Sequence, residues 1–180
     1  MSNDAGPSRI LDIPPEKLTD EQKAGIEAVV GGRGRLLTPY RIWIYSPKLM
    51  RALETLGTYL NKASSLSERE VELGIVLVAR HWHGDYVFAA HVKRLKELGV
   101  SDAVIDAIRR GAVPDLADAR ERAIYDVAKA AEQAGPGSDE LFARATKVLG
   151  RNGLAELLAL LGYYSAVAMA MKLHRVPVPA

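Results

Sequence analysis

Helix start signals recur along almost the whole chain, and they constrain its fold more than any other feature of the sequence. Thr19 with Gln22 and Ser67 with Glu70 match the capping box, in which a hydroxyl residue and an acid or amide three positions later satisfy the first free N–H groups of a helix. Apolar residues at helical spacing follow both boxes. The alternation typical of strands is almost absent, so the pattern predicts an all-α fold.

Stop signals divide the chain into about seven or eight helices. Glycines interrupt the helical pattern repeatedly, and the last two helices are expected over 139–149 and 153–173. One stretch, TPYRIWIY at 38–45, could instead be extended. Residues 1–35 are interpreted as an N-terminal arm with a short helix, and residues 36–180 as one domain without internal repeats.

Composition excludes several classes of protein. With 180 residues, a formal net charge of +2 and 48% hydrophobic residues, the chain can bury a sizeable core and has no strongly basic character that would suggest nucleic acid as a partner. It contains no cysteine, which excludes disulfides, thiolate metal sites and thiol nucleophiles. Since the N-terminus lacks the pattern of a secretory signal, we expect a cytoplasmic protein.

The uncharged run from Leu157 to Met171 has two interpretations. A membrane-spanning helix needs about 20 apolar residues, whereas this run is shorter and is bracketed by Glu156 and Lys172. A helix buried on nearly all sides is therefore favoured over a membrane span.

Three of the four histidines lie in the stretch ARHWHGDYVFAAHV at 79–92, at the predicted junction of two helices. The first helix begins after Ser67, and the second ends at Gly99. Titratable side chains among alanines and valines could line a pocket, or they could be satisfied core histidines and turn residues.

The run from Ser67 to Ile108, SEREVELGIVLVARHWHGDYVFAAHVKRLKELGVSDAVIDAI, resembles the carboxymuconolactone decarboxylase family, which includes the alkyl hydroperoxidase D proteins. Glu72 matches the acid on the first helix of the family motif, and His91 matches the histidine on the second. The resemblance covers roughly residues 36–179. It implies a multi-helix alkyl hydroperoxidase D-like domain with a central helical hairpin.

The peroxidase branch of that family carries Cys-x-x-Cys-x-x-x-His. Counting back from His91 puts Gly84 and Val87 where its two cysteines would be. Thiolate attack on a peroxide needs a sulfur atom, so thiol peroxidase activity is not expected.

The resemblance implies a lyase of aromatic compound catabolism, in which a small carboxylated lactone or related ring loses carbon dioxide without a metal or organic cofactor. Histidine is the side chain whose ordinary pKa is nearest neutrality. His91 is therefore the candidate to deliver or relay a proton, and Glu72 is its partner. We expect both to face one cavity within hydrogen-bond reach.

Four further residues are candidates for substrate binding. Arg80 could bind a substrate carboxylate, although an arginine near a helix end equally often contacts the last carbonyls. His83 and Tyr86 could line the pocket mouth, with a turn role about as plausible for His83. Trp82 could form an apolar wall, but packing in the core is favoured.

For three other features, a purely structural role is favoured over a functional one. Asp85 is expected to cap the second helix of the hairpin. Tyr163 and Tyr164 could reach the pocket, but packing is the preferred interpretation. The run GGRGR at 31–35 could bind an anion, yet it lacks the rest of a phosphate-binding motif and is interpreted as a flexible connection.

Three functions remain open from sequence alone. The first is the decarboxylase-like enzyme, the second a different reaction in the same pocket, and the third a non-catalytic small-molecule-binding or assembly protein. Apolar residues point in nearly every direction around the last helix, which predicts a homo-oligomer, a trimer or hexamer. They are Leu154, Leu157, Leu158, Leu160, Leu161, Tyr163, Tyr164, Val167, Met169 and Met171.

Overall fold

The computed structural model of the chain describes residues 6–178, which form eight α-helices and no strand. Residues 1–5 of the predicted arm and 179–180 of the predicted domain lie outside the described residues. A 3₁₀ turn at Pro15–Lys17 precedes the helices, which are α1 Asp20–Arg33, α2 Thr38–Trp43, α3 Pro47–Lys62, α4 Glu68–His81, α5 Asp85–Glu97, α6 Asp102–Arg110, α7 Ala119–Ala131 and α8 Asp139–Leu173. The predicted all-α fold is confirmed.

Both predicted capping boxes are present. The Thr19 hydroxyl accepts from the backbone N–H of Gln22, whose side chain accepts from the backbone N–H of Thr19, and Ser67 and Glu70 repeat the arrangement at α4. Each box satisfies two backbone donors that a helix start would otherwise leave free.

The prediction that 38–45 could be extended is wrong, because this segment contains α2. Pro39 lies in the first turn, where its fixed φ angle suits a helix and its missing N–H costs nothing. Tyr40 and Ile44 are four positions apart, lie on the same side of the turn and are both buried. Burial on one helical face thus outweighs the β-branched and aromatic composition.

Helix α4 is the centre of the fold. It packs against α5, α7 and α8, and its residues from Glu70 to Ala79 are all buried. The sequence shows this as a nearly continuous apolar run in which glutamates are the exceptions. Each of those glutamates has a partner, because a buried charge is tolerated only when it is paired.

Helices α4 and α5 form the predicted hairpin, joined by residues 82–84. Gly84 packs so closely on α8 that a Cβ atom added to it would lie 2.9 Å from the Cβ of Ala168. Gly84 also occupies the N-cap position of α5, and no side chain caps this helix. The expected cap by Asp85 is wrong, because Asp85 is already the first residue inside the helix.

The N-terminal helices build a second, smaller core. Val29, Tyr40, Ile44 and Met50 form a buried cluster between α1, α2 and α3, and Trp43 packs against both this cluster and the main core. This packing places the chain between α1 and α2 beside α5 and α8, where it borders the cavity described below.

Helix α8 is interrupted at Gly150, whose backbone is not helical (φ 75°, ψ 166°), so two helices meet there as the sequence predicted. Among the described residues, α8 alone is long and apolar enough to cross a membrane by length and composition. However, it packs against α3, α4, α5 and α7. Its apolar surface is therefore used mainly by the core of the chain itself.

Candidate functional site

Glu72 and His91 meet across the α4–α5 hairpin. Nδ1 of His91 lies 2.8 Å from Oε2 of Glu72, and the two side chains are 24% and 10% exposed. Glu72 precedes the turn and His91 follows it by similar numbers of residues, so antiparallel packing brings them level. The predicted contact is present in the structure, whereas the catalytic roles assigned to the two residues stay predictions.

The hydrogen bond with Glu72 determines which ring nitrogen of His91 is available. An ionised carboxylate only accepts hydrogen bonds, so it selects the form of the ring that carries a proton on Nδ1. Within residues 6–178, Nε2 has no hydrogen-bond partner. The ring of Tyr164 packs edge-on against the imidazole, with ring centres 5.4 Å apart, and restricts its rotation.

His91 lines a cavity of about 380 Å³, a size that suits a small molecule. Its walls come from α5, α8, Asn61 of α3 and the chain between Arg33 and Tyr40. Glu72 is not among the residues that line this cavity; it is buried on α4 and contacts His91. Glu72 can therefore act on a ligand in the cavity through His91.

Hydroxyl groups line much of the cavity. Tyr40 and Tyr163 share a hydrogen bond of 3.2 Å, Tyr164 donates to Oδ1 of Asn61, and Tyr86 donates to Thr38. Burial raises the pKa of Tyr163 above its ordinary value, and burial also raises the pKa values of Tyr40 and Tyr164. Tyr40, Tyr163 and Tyr164 consequently stay protonated. Tyr164 and Tyr86 already donate their hydroxyl protons, so the hydrogen-bonded pair of Tyr40 and Tyr163 keeps one proton for a ligand.

Two arginines, Arg33 and Arg35, also line this cavity. Nε of Arg33 donates to both carboxylate oxygens of the buried Glu54, at 3.0 and 3.2 Å. Arg35 is exposed and has no ion pair within the described part of the chain. The interpretation of GGRGR as only a flexible connection is wrong, because α1 continues through Arg33 and both arginines reach the cavity.

The four predicted substrate-binding residues do not share one cavity, although His83 and Tyr86 both line a depression beside Met171. Tyr86 lines the cavity of His91. Arg80 and His83 border another depression of about 530 Å³, where Arg80 donates to the backbone carbonyl of Arg109. Trp82 lines a third and donates to Ser165. The structure thus does not bring Arg80, Trp82 or His83 into the cavity of His91, since they lie at the end of α4 and in the turn and line other depressions.

Sequence reasoning missed four residues of the cavity: Arg33, Arg35, Tyr40 and Asn61. The two arginines carried a detectable signal in the glycine-basic run, but Tyr40 and Asn61 resemble ordinary helix residues. Tyr163 and Tyr164, for which simple packing was preferred, also border the cavity. Within residues 6–178, no group of three or more histidine, aspartate or glutamate side chains is arranged to hold a metal ion.

Known structures share this fold at low sequence identity. A peroxidase-related protein from Silicibacter sp. TM1040 is 18% identical, with a TM-score of 0.74 over 100% of this chain and 96% of the other. A cysteine-to-alanine variant of the debrominase Bmp8, in complex with 2,3,4-tribromopyrrole, is 13% identical, with a TM-score of 0.71 over 98% of this chain and 95% of the other.

A protein of unknown function from Agrobacterium tumefaciens, with a suggested role in antioxidant defence of the alkyl hydroperoxidase D type, is 16% identical. Its TM-score is 0.68 over 77% of this chain and 95% of its own. None of the curated proteins matches this sequence. The carboxymuconolactone decarboxylase family matches residues 47–130, from the start of α3 to the end of α7. Residues 47–130 of this cysteine-free chain are therefore similar to the carboxymuconolactone decarboxylase family, and the chain shares the alkyl hydroperoxidase D-like fold of the solved structures.

Proposed function

We propose that the chain is a cofactor-independent, decarboxylase-like enzyme that uses His91 for proton transfer on a small carboxylated lactone or related ring compound. The observation that carries the proposal is the 2.8 Å contact between His91 and the buried Glu72, with the imidazole in a cavity wall. Glu72 is a positioning residue, because it holds Nδ1 and leaves Nε2 for the ligand.

In the proposed reaction, the bond between the ring and its carboxylate breaks and carbon dioxide leaves. The electron pair of that bond is delocalised toward the lactone carbonyl, whose oxygen gains negative charge. His91 in its protonated form then delivers a proton to carbon. The pair of Tyr40 and Tyr163, which keeps one hydroxyl proton free, can donate a hydrogen bond to the developing enolate oxygen, the kind of group that preorganised donors stabilise.

The alternative is a protein on the same scaffold that binds a small molecule without converting it. A site of this kind needs no organised proton donor, whereas His91 is held by both Glu72 and Tyr164. The debrominase of similar fold binds a small ring compound, which supports a ligand of ring size under either interpretation. We place the protein in the cytoplasm, with a small molecule as its partner.

A screen of lactones and related ring acids tests the proposal. Purified protein is incubated with each compound, and carbon dioxide release and ultraviolet absorbance are followed together. We expect turnover of at least one carboxylated lactone. Compounds that bind, as measured by calorimetry, but are never converted by the protein would favour the non-catalytic alternative.

Thiol-dependent peroxidase activity is expected to be absent. No sulfenate or disulfide can form at Gly84 or Val87, and a side chain at position 84 would press against Ala168. The measurement is hydroperoxide consumption in the presence of a dithiol reductant. Consumption above that of heat-inactivated protein would contradict this prediction.

We further propose a homo-oligomer, a trimer or a hexamer. The supporting surface is smaller than the sequence suggested, because eight of the ten apolar residues named for the last helix are buried within their own chain. Leu158 and Met169 are the two that stay exposed, at 49% and 43%. Light scattering at micromolar concentration should give a trimer or hexamer mass, and a monomer mass would overturn the proposal.

A further inference from the structure

We propose that Arg33 and Arg35 form an anion-binding subsite in the wall of the His91 cavity, which selects ligands that carry a carboxylate. Both arginines lie N-terminal to the segment that matches the family, so the subsite belongs to the α1–α2 connection of this chain. The inference rests on the proposed function only in that the bound anion is taken to be part of the substrate.

Arg33 is held in place before any ligand arrives. Its side chain is 14% exposed, and Nε is bound to Glu54, which is buried and also accepts from Thr58. Among the described residues, no partner binds either Nη group of Arg33. A guanidinium held by one edge loses little freedom when its other edge binds a carboxylate, and its geometry matches that of a carboxylate.

The free end of Arg33 lies next to a cavity hydroxyl. A Cβ atom placed on Gly57 would lie 2.9 Å from Nη2 of Arg33 and 2.5 Å from the hydroxyl oxygen of Tyr163. Both polar groups therefore occupy the space over this glycine, where α3 faces α8. A carboxylate bound there can accept from the guanidinium and from the tyrosine together, and charge-assisted hydrogen bonds are the stronger kind.

Arg35 gives the cavity wall its net positive charge. Glu54 balances Arg33, whereas Arg35 has no acidic partner in the described residues and borders the same cavity. Gly34 between them adopts the left-handed conformation (φ 73°) at the end of α1. Since the described residues that line the cavity include two arginines and no acidic side chain, the cavity presents an excess of positive charge to a ligand.

The test compares two stable probes, 5-oxotetrahydrofuran-2-carboxylate and its methyl ester, whose dissociation constants are measured by calorimetry. The variants are Arg35→Gln, Arg33→Lys and, as a matched control, Arg51→Gln, which removes an exposed charge of α3 away from the cavity. Arg33→Lys keeps a positive charge beside Glu54 but removes the planar guanidinium that can bind both oxygens of a carboxylate. Thermal unfolding of this variant is recorded to verify that it folds.

We expect the unsubstituted protein to bind the carboxylate about tenfold more tightly than the ester or better. Arg35→Gln and Arg33→Lys should each lose most of this preference, while Arg51→Gln keeps it. Equal affinities for the two probes, or an equal loss of preference in Arg51→Gln, would overturn the subsite.

The variant His91→Ala separates this inference from the proposed function. It should keep the preference for the carboxylate, because the anion is held by the arginines. If the protein shows the preference but converts no lactone, the subsite is supported and the proposed reaction is overturned. If it converts lactones without any preference for the carboxylate, the reaction is supported and the subsite is overturned.

Discussion

Replacement of His91 by alanine is expected to lower kcat on an accepted substrate by on the order of 100- to 10,000-fold, which is the usual contribution of a positioned proton donor. The imidazole lines the cavity and is oriented by a buried carboxylate. Far-ultraviolet circular dichroism should be unchanged, because the side chain is at the cavity wall and is 24% exposed. Initial rates over a range of substrate concentrations provide the measurement.

Two variants make this result specific. Glu72→Gln keeps the size of the side chain but removes its charge, and we expect kcat to fall by less than in His91→Ala, with KM nearly unchanged and a shifted pH profile. His81→Ala is the matched control, since His81 is an exposed histidine on the same hairpin. A His91→Ala protein with more than half of the original kcat would show that the proton comes from another group.

Replacement of Glu70 by alanine is expected to lower the free energy of unfolding by about 2–3 kcal/mol. Glu70 is 6% exposed, and it accepts from the backbone N–H of Ser67 and from two nitrogens of Arg120. Arg120 also donates to the carbonyl of Val148. Loss of the carboxylate thus removes the α4 capping box and the link from α4 through α7 to α8. Urea unfolding followed by circular dichroism measures the change.

Glu68→Ala is the matched control, because Glu68 pairs with Arg94 while both side chains are about half exposed. An exposed ion pair contributes at most about 1 kcal/mol. If the two variants unfold at the same urea concentration, the buried network contributes no more than a surface pair, which would contradict the prediction.

The hydrogen bonds of Glu70 also make the free energy of unfolding depend on pH. Burial raises the pKa of Glu70, but hydrogen bonds from Arg120 and Ser67 outweigh burial and leave the pKa below its ordinary value of 4.5. A carboxyl group with a lowered pKa in the folded state stabilises it above that ordinary value, and this contribution is lost as the pH falls through the folded-state pKa. Glu70→Ala should therefore unfold with a smaller dependence on pH below about 4.5 than the unsubstituted chain.

Much of the fold could be predicted from sequence alone, because its signals are local. A capping box such as Ser67 with Glu70 involves residues three positions apart, and apolar spacing along one helix reports the face that it buries. The pair of Glu72 and His91 was chosen from the family resemblance, and the hairpin then predicted that the two residues could meet. A short turn joins their helices, so similar distances from that turn along the chain bring the two residues level.

Only the tertiary structure decided which residues share the cavity. Arg33, Tyr40, Asn61, His91 and Tyr163 come from five separate helices, and no local pattern records how those helices pack. Packing also separated residues that are neighbours in sequence, such as Tyr86, which borders the cavity, and His83, which does not. Spacing along the chain tells which side chains share a helical face, but the neighbour of that face is chosen by the packing of the whole core.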